Sequence, residues 1–416
     1  MNLPALRPPS LLLKYAPYLF WVSLAVYAFT LPISNTIAVR NLAFVLLIFS
    51  TLCLCIGARQ WPMLPLKRAW AIYGAIALIS CLYAVDPLSS LGEIKVEIFY
   101  CVLIFSIAFT WAKLNDILTK FAFVAATCNL ILVVTALSVS GMDKSWGQIL
   151  ALPGWARAGF NTNYILCVFP LLCYLAWTQW NKGNRRLSAG ITTLLALDIL
   201  AMILSYNRQT MVALAAGIFC AAALLLRNQF TWKRAAAFLG TLCLVAALLA
   251  TQMLRRAETR ESVDQVAHNA VAQDVRWPLW KFSVEKIIEH PLTGGGFGRA
   301  VFDKLYPEFM PENTMLWHAH NMLLNKGIQM GVPGILAFLF LWYALLRAFT
   351  RYLADAPDKR LIAIAGISTL TIIFMKNMTD DFFLRDMALW FWLVNGILLG
   401  SLQNRASHAA RPPSQP

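Results

Sequence analysis

The sequence predicts an all-α polytopic membrane protein with about twelve transmembrane helices. The first observation is its composition, since 59% of the 416 residues are hydrophobic and only 13% are charged. The second is that the apolar residues form long runs separated by short loops. Because the bilayer core is roughly 30 Å thick, a spanning helix needs about 20 mostly apolar residues, and these runs have that length.

The runs that meet the length criterion follow one another along the whole chain. They are residues 15–33, 41–57, 69–85, 96–112, 121–139, 162–179, 187–205, 209–226, 235–253, 319–346, 361–378 and 387–403. So many apolar runs with such short loops disfavour a large soluble protein with buried helices. A transmembrane β-barrel is disfavoured because its strands would appear as alternating segments of about ten residues.

The distribution of Lys and Arg predicts the orientation of these helices. If the N-terminus is cytoplasmic, the cytoplasmic segments hold most of the basic residues of the short loops. This places both termini in the cytoplasm and accounts for most of the formal net charge of +15. A nucleic-acid partner is therefore unnecessary, because the basic residues are spread along the chain and form no single patch.

One long polar loop, residues 254–317, separates predicted helices nine and ten on the extracytoplasmic side. Within it, residues 257–289 have the spacing of an amphipathic helix, with Pro291 closing the pattern. The apolar positions are Val263, Val266, Val271, Val275, Trp277, Trp280, Phe282 and Ile287. We expect helices in residues 1–253, a helical loop domain at 254–317, helices again in 318–404 and a disordered cytoplasmic tail at 405–416.

The first candidate site lies around Arg208, between two predicted spans with almost no loop. A guanidinium matches phosphate oxygens, and the helix beginning near Gln209 adds amide donors at its N-terminus. Tyr206 belongs to the same segment. The pattern favours an anion-binding site, and the alternative is an interfacial charge at a tight hairpin.

The second candidate is Arg276 together with Trp280 in the polar loop. Arg276 would supply a second cation for a phosphate, and Trp280 would stack on a sugar or a lipid face. The alternative is an interfacial helix, in which Trp and basic residues are common.

The third candidate is the segment His318-Ala-His320-Asn321, where the polar loop enters predicted helix ten. Histidine takes up a proton near neutral pH, so it can act as the general base for an attacking hydroxyl. A metal site is less favoured because no nearby Cys or third His supplies further ligands. Hydrogen-bonded interfacial histidines are the remaining alternative.

The last extracytoplasmic loop contains Asp380 and Asp381. Paired carboxylates can orient a histidine, pair with arginine or hold a divalent metal, and these alternatives stay open. The glycine-rich stretch His290–Gly298 does not have the G-x-G-x-x-G spacing after a strand, so it predicts no nucleotide fold.

Four motifs, taken in order, resemble the signature of the O-antigen ligase and polymerase superfamily. They are Ser205-Tyr-Asn-Arg208, Arg276 with Trp280, His290-Pro-Leu-Thr-Gly-Gly-Gly-Phe-Gly298, and His318-Ala-His320-Asn321-Met-Leu-Leu324 with Gly327 and Gly331. The chain resembles in particular the O-antigen ligases of Gram-negative lipopolysaccharide assembly. The later half carries the resemblance, together with the number of spans and the position of the large loop.

The resemblance implies a metal-independent glycosyltransferase of the GT-C type that needs no cofactor. Its donor would be O-antigen on undecaprenyl diphosphate, and its acceptor a sugar hydroxyl of lipid A–core. By the family pattern His320 would be the base, while Arg208 and Arg276 would bind the diphosphate. The site would face the periplasm of a Gram-negative inner membrane, among membrane lipids.

Further substrate-binding roles follow from the resemblance for His318, Asn321, Trp280, Tyr206 and Gln209. Arg157 and Asn163 are assigned to the donor site, although Thr162 stands where related proteins often have Pro in an Asn-Pro-Asn motif.

Two enzymes of the same superfamily are alternatives that the sequence does not exclude, an O-antigen polymerase and a protein O-oligosaccharyltransferase. A transporter of lipid-linked sugars is the alternative from another class. It is disfavoured because the mid-span regions are nearly free of charge and the candidate residues cluster on one face.

Overall fold

The computed structural model describes residues 10–33, 35–140, 158–204, 208–226, 240, 276–298, 301–307, 318–381, 383 and 385–403. Over these residues the secondary structure is helical and contains no strand, which confirms the predicted all-α class. The long helices of the first part are α1 (Ser10–Thr30), α2 (Ile37–Ala58), α3 (Lys67–Ser80), α4 (Pro87–Ile94), α5 (Tyr100–Trp111), α6 (Ile117–Ser140), α7 (Ala158–Asn181), α8 (Arg185–Leu204) and α9 (Arg208–Leu226). They are followed by α10 (Arg276–Glu289), α11 (Val301–Leu305), α12 (Met322–Thr350), α13 (Pro357–Asn377) and α14 (Arg385–Leu402).

Helices overlap every predicted span except 235–253, which lies outside the described residues. Six segments are long and apolar enough to cross a membrane: Ile37–Ala58, Pro87–Trp111, Ile117–Thr135, Arg185–Ile203, Gln209–Leu226 and Met322–Thr350. A five-residue π-helix, Lys95–Phe99, joins α4 to α5 inside the second of these. The protein is therefore a multi-pass helical membrane protein, and the total of twelve helices remains a prediction.

The interior is built from closely packed helix pairs. Helix α14 lies against α5, and α9 lies against α13, which also packs on α7. Gly400 makes the first contact possible, because a Cβ there would stand 2.2 Å from the backbone oxygen of Phe109. Without a hydrophobic difference between lipid and protein, such small residues let helices approach and gain dispersion contacts.

Helix α12 is broken at Gly331, whose φ of 67° and ψ of −165° are not helical. The glycine-rich segment packs against this break. Gly295 N–H donates to Ile328 O at 2.9 Å, and Gly296 N–H donates to Gln329 O at 3.0 Å. The glycine loop therefore satisfies carbonyls that the broken helix leaves without an internal donor.

Helix α10 shows the predicted amphipathic pattern over its own length, since Leu279 and Ile287 are buried in a small core with Phe302 and Ile328. The remainder of the pattern, residues 257–275, lies outside the described residues. Because α10 contacts the first turns of α12, it places part of the polar loop beside the segment containing His320.

Candidate active site

The ends of several helices meet at one end of the molecule, which we call the site end. Gln209 lies at the start of α9, His320 precedes α12, and Lys376 lies in the last turn of α13. Asp380 follows α13 in the connection to α14. Side-chain contacts link all four residues.

Asn321 fixes the entry into α12 as its N-cap residue. Its side-chain oxygen accepts hydrogen bonds from Leu323 N–H at 2.9 Å and Leu324 N–H at 3.1 Å. Its amide donates to Met378 O at 2.8 Å, which ties α12 to the end of α13. Capping satisfies amides that have no partner within the helix, so Asn321 holds the preceding histidine in a fixed place.

His320 has an unusual backbone conformation and a carboxylate partner. Its φ of 46° lies in the left-handed region, which costs free energy for a residue other than glycine. Its Nδ1 lies 3.2 Å from Asp380 Oδ1. With Asp380 ionised, Nδ1 carries the proton and donates it, so the lone pair remains on Nε2.

The environment of Asp380 keeps it ionised. Burial acts to raise the pKa of this carboxyl, but the hydrogen bond from His320 and the positive charge of Lys376 outweigh it and lower the pKa from 3.8 to about 2. Asp381 N–H adds a further donor to Oδ1 at 3.0 Å. Asp380 is therefore an anion at every pH at which a membrane enzyme is assayed.

His318 differs from His320 in its surroundings. Its side chain is buried, and its Nδ1 accepts the backbone N–H of His320 at 3.0 Å. The centroids of the two imidazole rings lie 3.9 Å apart. His318 therefore holds the segment in place, whereas His320 is partly exposed and has the carboxylate partner expected of a base.

Lys376 connects the histidine pair to the start of α9. Its side chain is fully buried, and Nζ lies 3.4 Å from both Asp380 Oδ2 and Gln209 Oε1. Arg276 lies near enough for its charge to oppose that of Lys376. The structure thus brings Gln209 and Arg276 to the side of the site that contains Asp380.

Trp280 contacts the histidine segment directly. Its indole N–H donates to Ala319 O at 2.9 Å, which fixes the ring relative to the two histidines that flank Ala319. Helix α10 therefore contributes the cation of Arg276, its first residue, and the aromatic ring of Trp280, one turn later.

Residues 191–339 match the family model described as "Wzy_C: O-Antigen ligase". Part of the chain is therefore similar to the O-antigen ligase family. The resemblance inferred from the motifs is thereby confirmed, and it supports a function of the O-antigen ligase type.

Two curated proteins, each described as a "Putative polysaccharide ligase", are similar to this chain. The one from Rickettsia conorii (strain ATCC VR-613 / Malish 7) is 24% identical over 300 residues, covering 70% of this chain and 69% of its own length. The one from Rickettsia felis (strain ATCC VR-1525 / URRWXCal2) is 25% identical over 291 residues, covering 66% and 67%.

The matched region, residues 191–339, includes His318, His320, Arg208 and Arg276. Lys376 and Asp380 lie after it in the chain. The structure places the backbone of Arg208 at the first position of α9. Its side chain, Tyr206 and Arg157 lie outside the described residues. Their roles remain predictions.

Asn163 is buried in the first turns of α7. Next to it, Thr210 Oγ1 donates to Thr162 Oγ1 at 3.4 Å, joining α7 to the start of α9. Thr162, which departs from the family pattern, therefore lies one residue from Asn163 and contacts the helix of Gln209. The donor-site role of Asn163 remains a prediction.

Three groups at the site are close enough to hold a metal ion, since ligand atoms of His318, His320 and Asp380 lie within 4.8 Å of one another. Each already has a partner. His318 Nδ1 accepts a backbone N–H, and Asp380 contacts both His320 and Lys376. The ammonium of Lys376 would also repel a cation, so the donors present favour a hydrogen-bonded pair over a metal centre.

Sequence reasoning assigned no role to Lys376 and left the role of Asp380 open. The available signal was a lysine four residues before an aspartate at the end of an apolar helix, because a charge at membrane depth usually has a partner there. The predicted spans do contain an ionisable residue at mid-span, because Asp198 is buried in α8 and accepts hydrogen bonds from Asn129. It lies well away from the end of α8 and shows that the spans are not entirely free of charge.

Proposed function

We propose that this protein is an O-antigen ligase that joins O-antigen from undecaprenyl diphosphate to a sugar hydroxyl of lipid A–core. One observation carries the proposal. Within the matched domain, a partly exposed histidine has a buried, ionised carboxylate on Nδ1 and cationic side chains nearby. This arrangement supplies a base for a hydroxyl and a cationic region for a diphosphate.

The reaction follows from the free lone pair on His320 Nε2. This nitrogen takes the proton of the acceptor hydroxyl while the oxygen attacks the anomeric carbon of the donor sugar. The bond between that carbon and the diphosphate oxygen breaks, and the configuration at the anomeric carbon inverts. Asp380 stabilises the imidazolium that forms, as the carboxylate does in a hydrolase triad.

The leaving diphosphate gains negative charge as the bond breaks. Arg208 and Arg276 are the proposed cations for this charge, and Lys376 adds a third. Gln209, Tyr206, Asn163 and Arg157 would complete the donor side. No metal is needed in this scheme, because fixed cations neutralise the diphosphate.

His318, Asn321 and Trp280 are the residues proposed for positioning and substrate binding around the base. The proposed location is a Gram-negative inner membrane, with both termini in the cytoplasm and the site end facing the periplasm. The excess of Lys and Arg in the opposite loops supports this orientation.

Replacement of the proposed base tests the mechanism. His320→Ala should lower glycan transfer by roughly a hundred- to ten-thousand-fold, because general-base catalysis contributes about that factor. The assay is transfer from purified lipid-linked O-antigen to lipid A–core without added nucleotide, with and without chelator. His290→Ala is the matched control, since His290 is exposed in the glycine loop. Undiminished transfer by His320→Ala would disprove the mechanism, and loss of wild-type activity with chelator would disprove metal independence.

The acceptor decides between the ligase and related enzymes. The wild-type protein should transfer glycan to lipid A–core in preference to a second lipid-linked repeat or to an exported protein. Preference for either of the latter acceptors would assign the polymerase or the protein oligosaccharyltransferase activity instead.

A further inference from the structure

A groove lies between α10 and the first turn of α12, next to the histidine segment. It has a volume of about 610 Å³, and we call it the tryptophan groove. Its lining residues are Trp277, Trp280, Lys281, Val284, Glu285, Asn321, Leu323 and Leu324. The groove is separate from the contacts of Lys376 with Asp380 and Gln209, which lie on the α9 and α13 side of His320.

Two tryptophans give the groove an aromatic wall. The rings of Trp277 and Trp280 lie 5.5 Å apart at an interplanar angle of 68°. Trp280 is held by its hydrogen bond to Ala319 O, whereas Trp277 is 56% exposed. A large exposed aromatic ring beside a fixed one presents an open apolar face that the described part of the chain leaves uncovered.

The rim of the groove is polar. Lys281 Nζ and Glu285 Oε1 lie 3.9 Å apart on one side, and Asn321 lies on the other. A sugar ring has apolar C–H faces that pack on aromatic rings and hydroxyls that need donors and acceptors at the edge. Trp277 with Lys281 and Glu285 supplies both kinds of contact.

An apolar strip continues from the groove along α10. It consists of Val284, Ile288 and Leu292, of which Ile288 is 70% and Leu292 is 74% exposed. Pro291 O accepts a hydrogen bond from Val332 N–H at 2.8 Å, so the strip reaches the exposed face of α12.

That face belongs to a segment long and apolar enough to cross a membrane. Its exposed residues recur with helical spacing at Val332, Leu336 and Phe340. Side chains exposed on such a segment face lipid, because no aqueous surface reaches them there. The strip on α10 is therefore continuous with the lipid-facing surface.

We infer that the tryptophan groove binds the sugar rings of the acceptor glycolipid, whose acyl chains lie against the apolar strip in the adjoining leaflet. This inference rests on the proposed function, since that function requires an acceptor anchored in lipid and carrying a hydroxyl. It assigns the acceptor to the groove between α10 and α12 and leaves the side of His320 that contains Lys376 and Arg276 for the diphosphate. The base then stands between the two substrates.

The test is Trp277→Ala in the purified full-length protein in lipid nanodiscs. The acceptor KM should rise roughly five- to tenfold, which corresponds to the binding free energy of one aromatic contact. The donor KM and kcat should stay within about twofold of the wild-type values. Trp277→Phe should keep most of the affinity because it retains an aromatic face. Trp61→Ala is the matched control, since Trp61 is 70% exposed in the connection between α2 and α3.

A second measurement separates sugar from lipid and does not require turnover. Core oligosaccharide freed of its acyl chains should bind to the wild-type protein in calorimetry and should bind roughly five- to tenfold more weakly to Trp277→Ala. Equal binding by the two proteins, or no binding to either, would overturn the assignment of sugar to the groove. If binding shows the expected difference while the wild type transfers no glycan, the proposed function fails and the groove assignment stands.

Discussion

At the scale of single residues, the site depends on which nitrogen of His320 carries the proton. Asp380 decides this, because its anionic oxygen lies 3.2 Å from Nδ1 and is held in turn by Asp381 N–H. Lys376 balances the charge on the other oxygen. A single buried carboxylate thus fixes both the tautomer and the orientation of the ring.

Asp380→Asn should lower kcat by about a hundredfold or more, because an amide no longer favours the tautomer with the lone pair on Nε2. It also removes the anion that stabilises the imidazolium formed in the reaction. The measurement is a pH–rate profile of glycan transfer between pH 5 and 9. Asp358→Asn, at the exposed opposite end of α13, is the control.

The pKa of Asp380 determines how this residue contributes to the stability of the folded protein at different pH values. Folding lowers the pKa of Asp380 from 3.8 to about 2. The ionised carboxylate therefore stabilises the folded protein at pH values above 3.8, and this stabilisation is lost as the pH falls through about 2. Asp380 therefore does not titrate between pH 5 and 9. An undiminished kcat in Asp380→Asn would contradict the role given to this residue.

At the scale of elements, the break in α12 and the glycine loop form one unit. The loop lies so close to the helix that a Cβ at Gly294 would stand 2.4 Å from the carbonyl carbon of Gln329. Gly331 itself could not accept a side chain without strain, since its φ is 67°. Gly294 and Gly331 therefore serve the packing of α12 on the glycine loop, and the first residues of α12 determine where His320 lies.

Gly294→Ala should lower the free energy of unfolding by about 1–3 kcal/mol or more, because the added methyl group collides with backbone that has little room to move. Gly190→Ala is the control, since no atom lies within 4 Å of the Cβ it would add in α8. That change should be neutral or stabilising by up to about 1 kcal/mol. Thermal unfolding in detergent measures both, and equal melting temperatures would contradict the packing role.

At the scale of the whole molecule, ion pairs connect distant parts of the chain at the site end. Lys326 lies 3.6 Å from Glu97 in the π-helix and 4.5 Å from the centre of the Phe297 ring in the glycine loop. Arg40 pairs with Asp386 at 2.5 Å. These contacts bind the early helices to the late ones around the site.

Lys326→Met should destabilise the protein by about 3 kcal/mol, because it leaves the Glu97 carboxylate nearly buried without its partner. Adding Glu97→Gln should restore part of the loss, since the unpaired charge is then removed. Thermal unfolding of the two single variants and the double variant gives the coupling free energy between Lys326 and Glu97. Lys304→Met, in a half-exposed pair with Asp86, should change the melting temperature little. Additive single effects would contradict the pairing.

The sequence by itself determined the helical membrane architecture, because the length of an apolar run is set directly by the thickness of the bilayer. It also identified His320, Arg276 and Gln209 as candidates, since polar residues next to apolar runs stand out in composition. Helices overlap the predicted spans that the structure describes, and α10 lies within the predicted amphipathic segment, whereas α4 and α11 match no predicted span.

Only the tertiary structure decided which of these residues meet. Asp380 lies 60 residues from His320, and Gln209 lies 167 residues from Lys376, so no local spacing relates them. The glycine motif illustrates the same limit, because Gly294 packs on the backbone of α12 while Gly296 and Gly298 pack on Ala84 and Glu93, which are far away in the chain. The lengths and spacing of apolar residues reflect whether a helix faces lipid or water, so the sequence reveals them directly. The site depends on how helices far apart in the chain pack together, and the spacing of residues along the chain does not specify that packing.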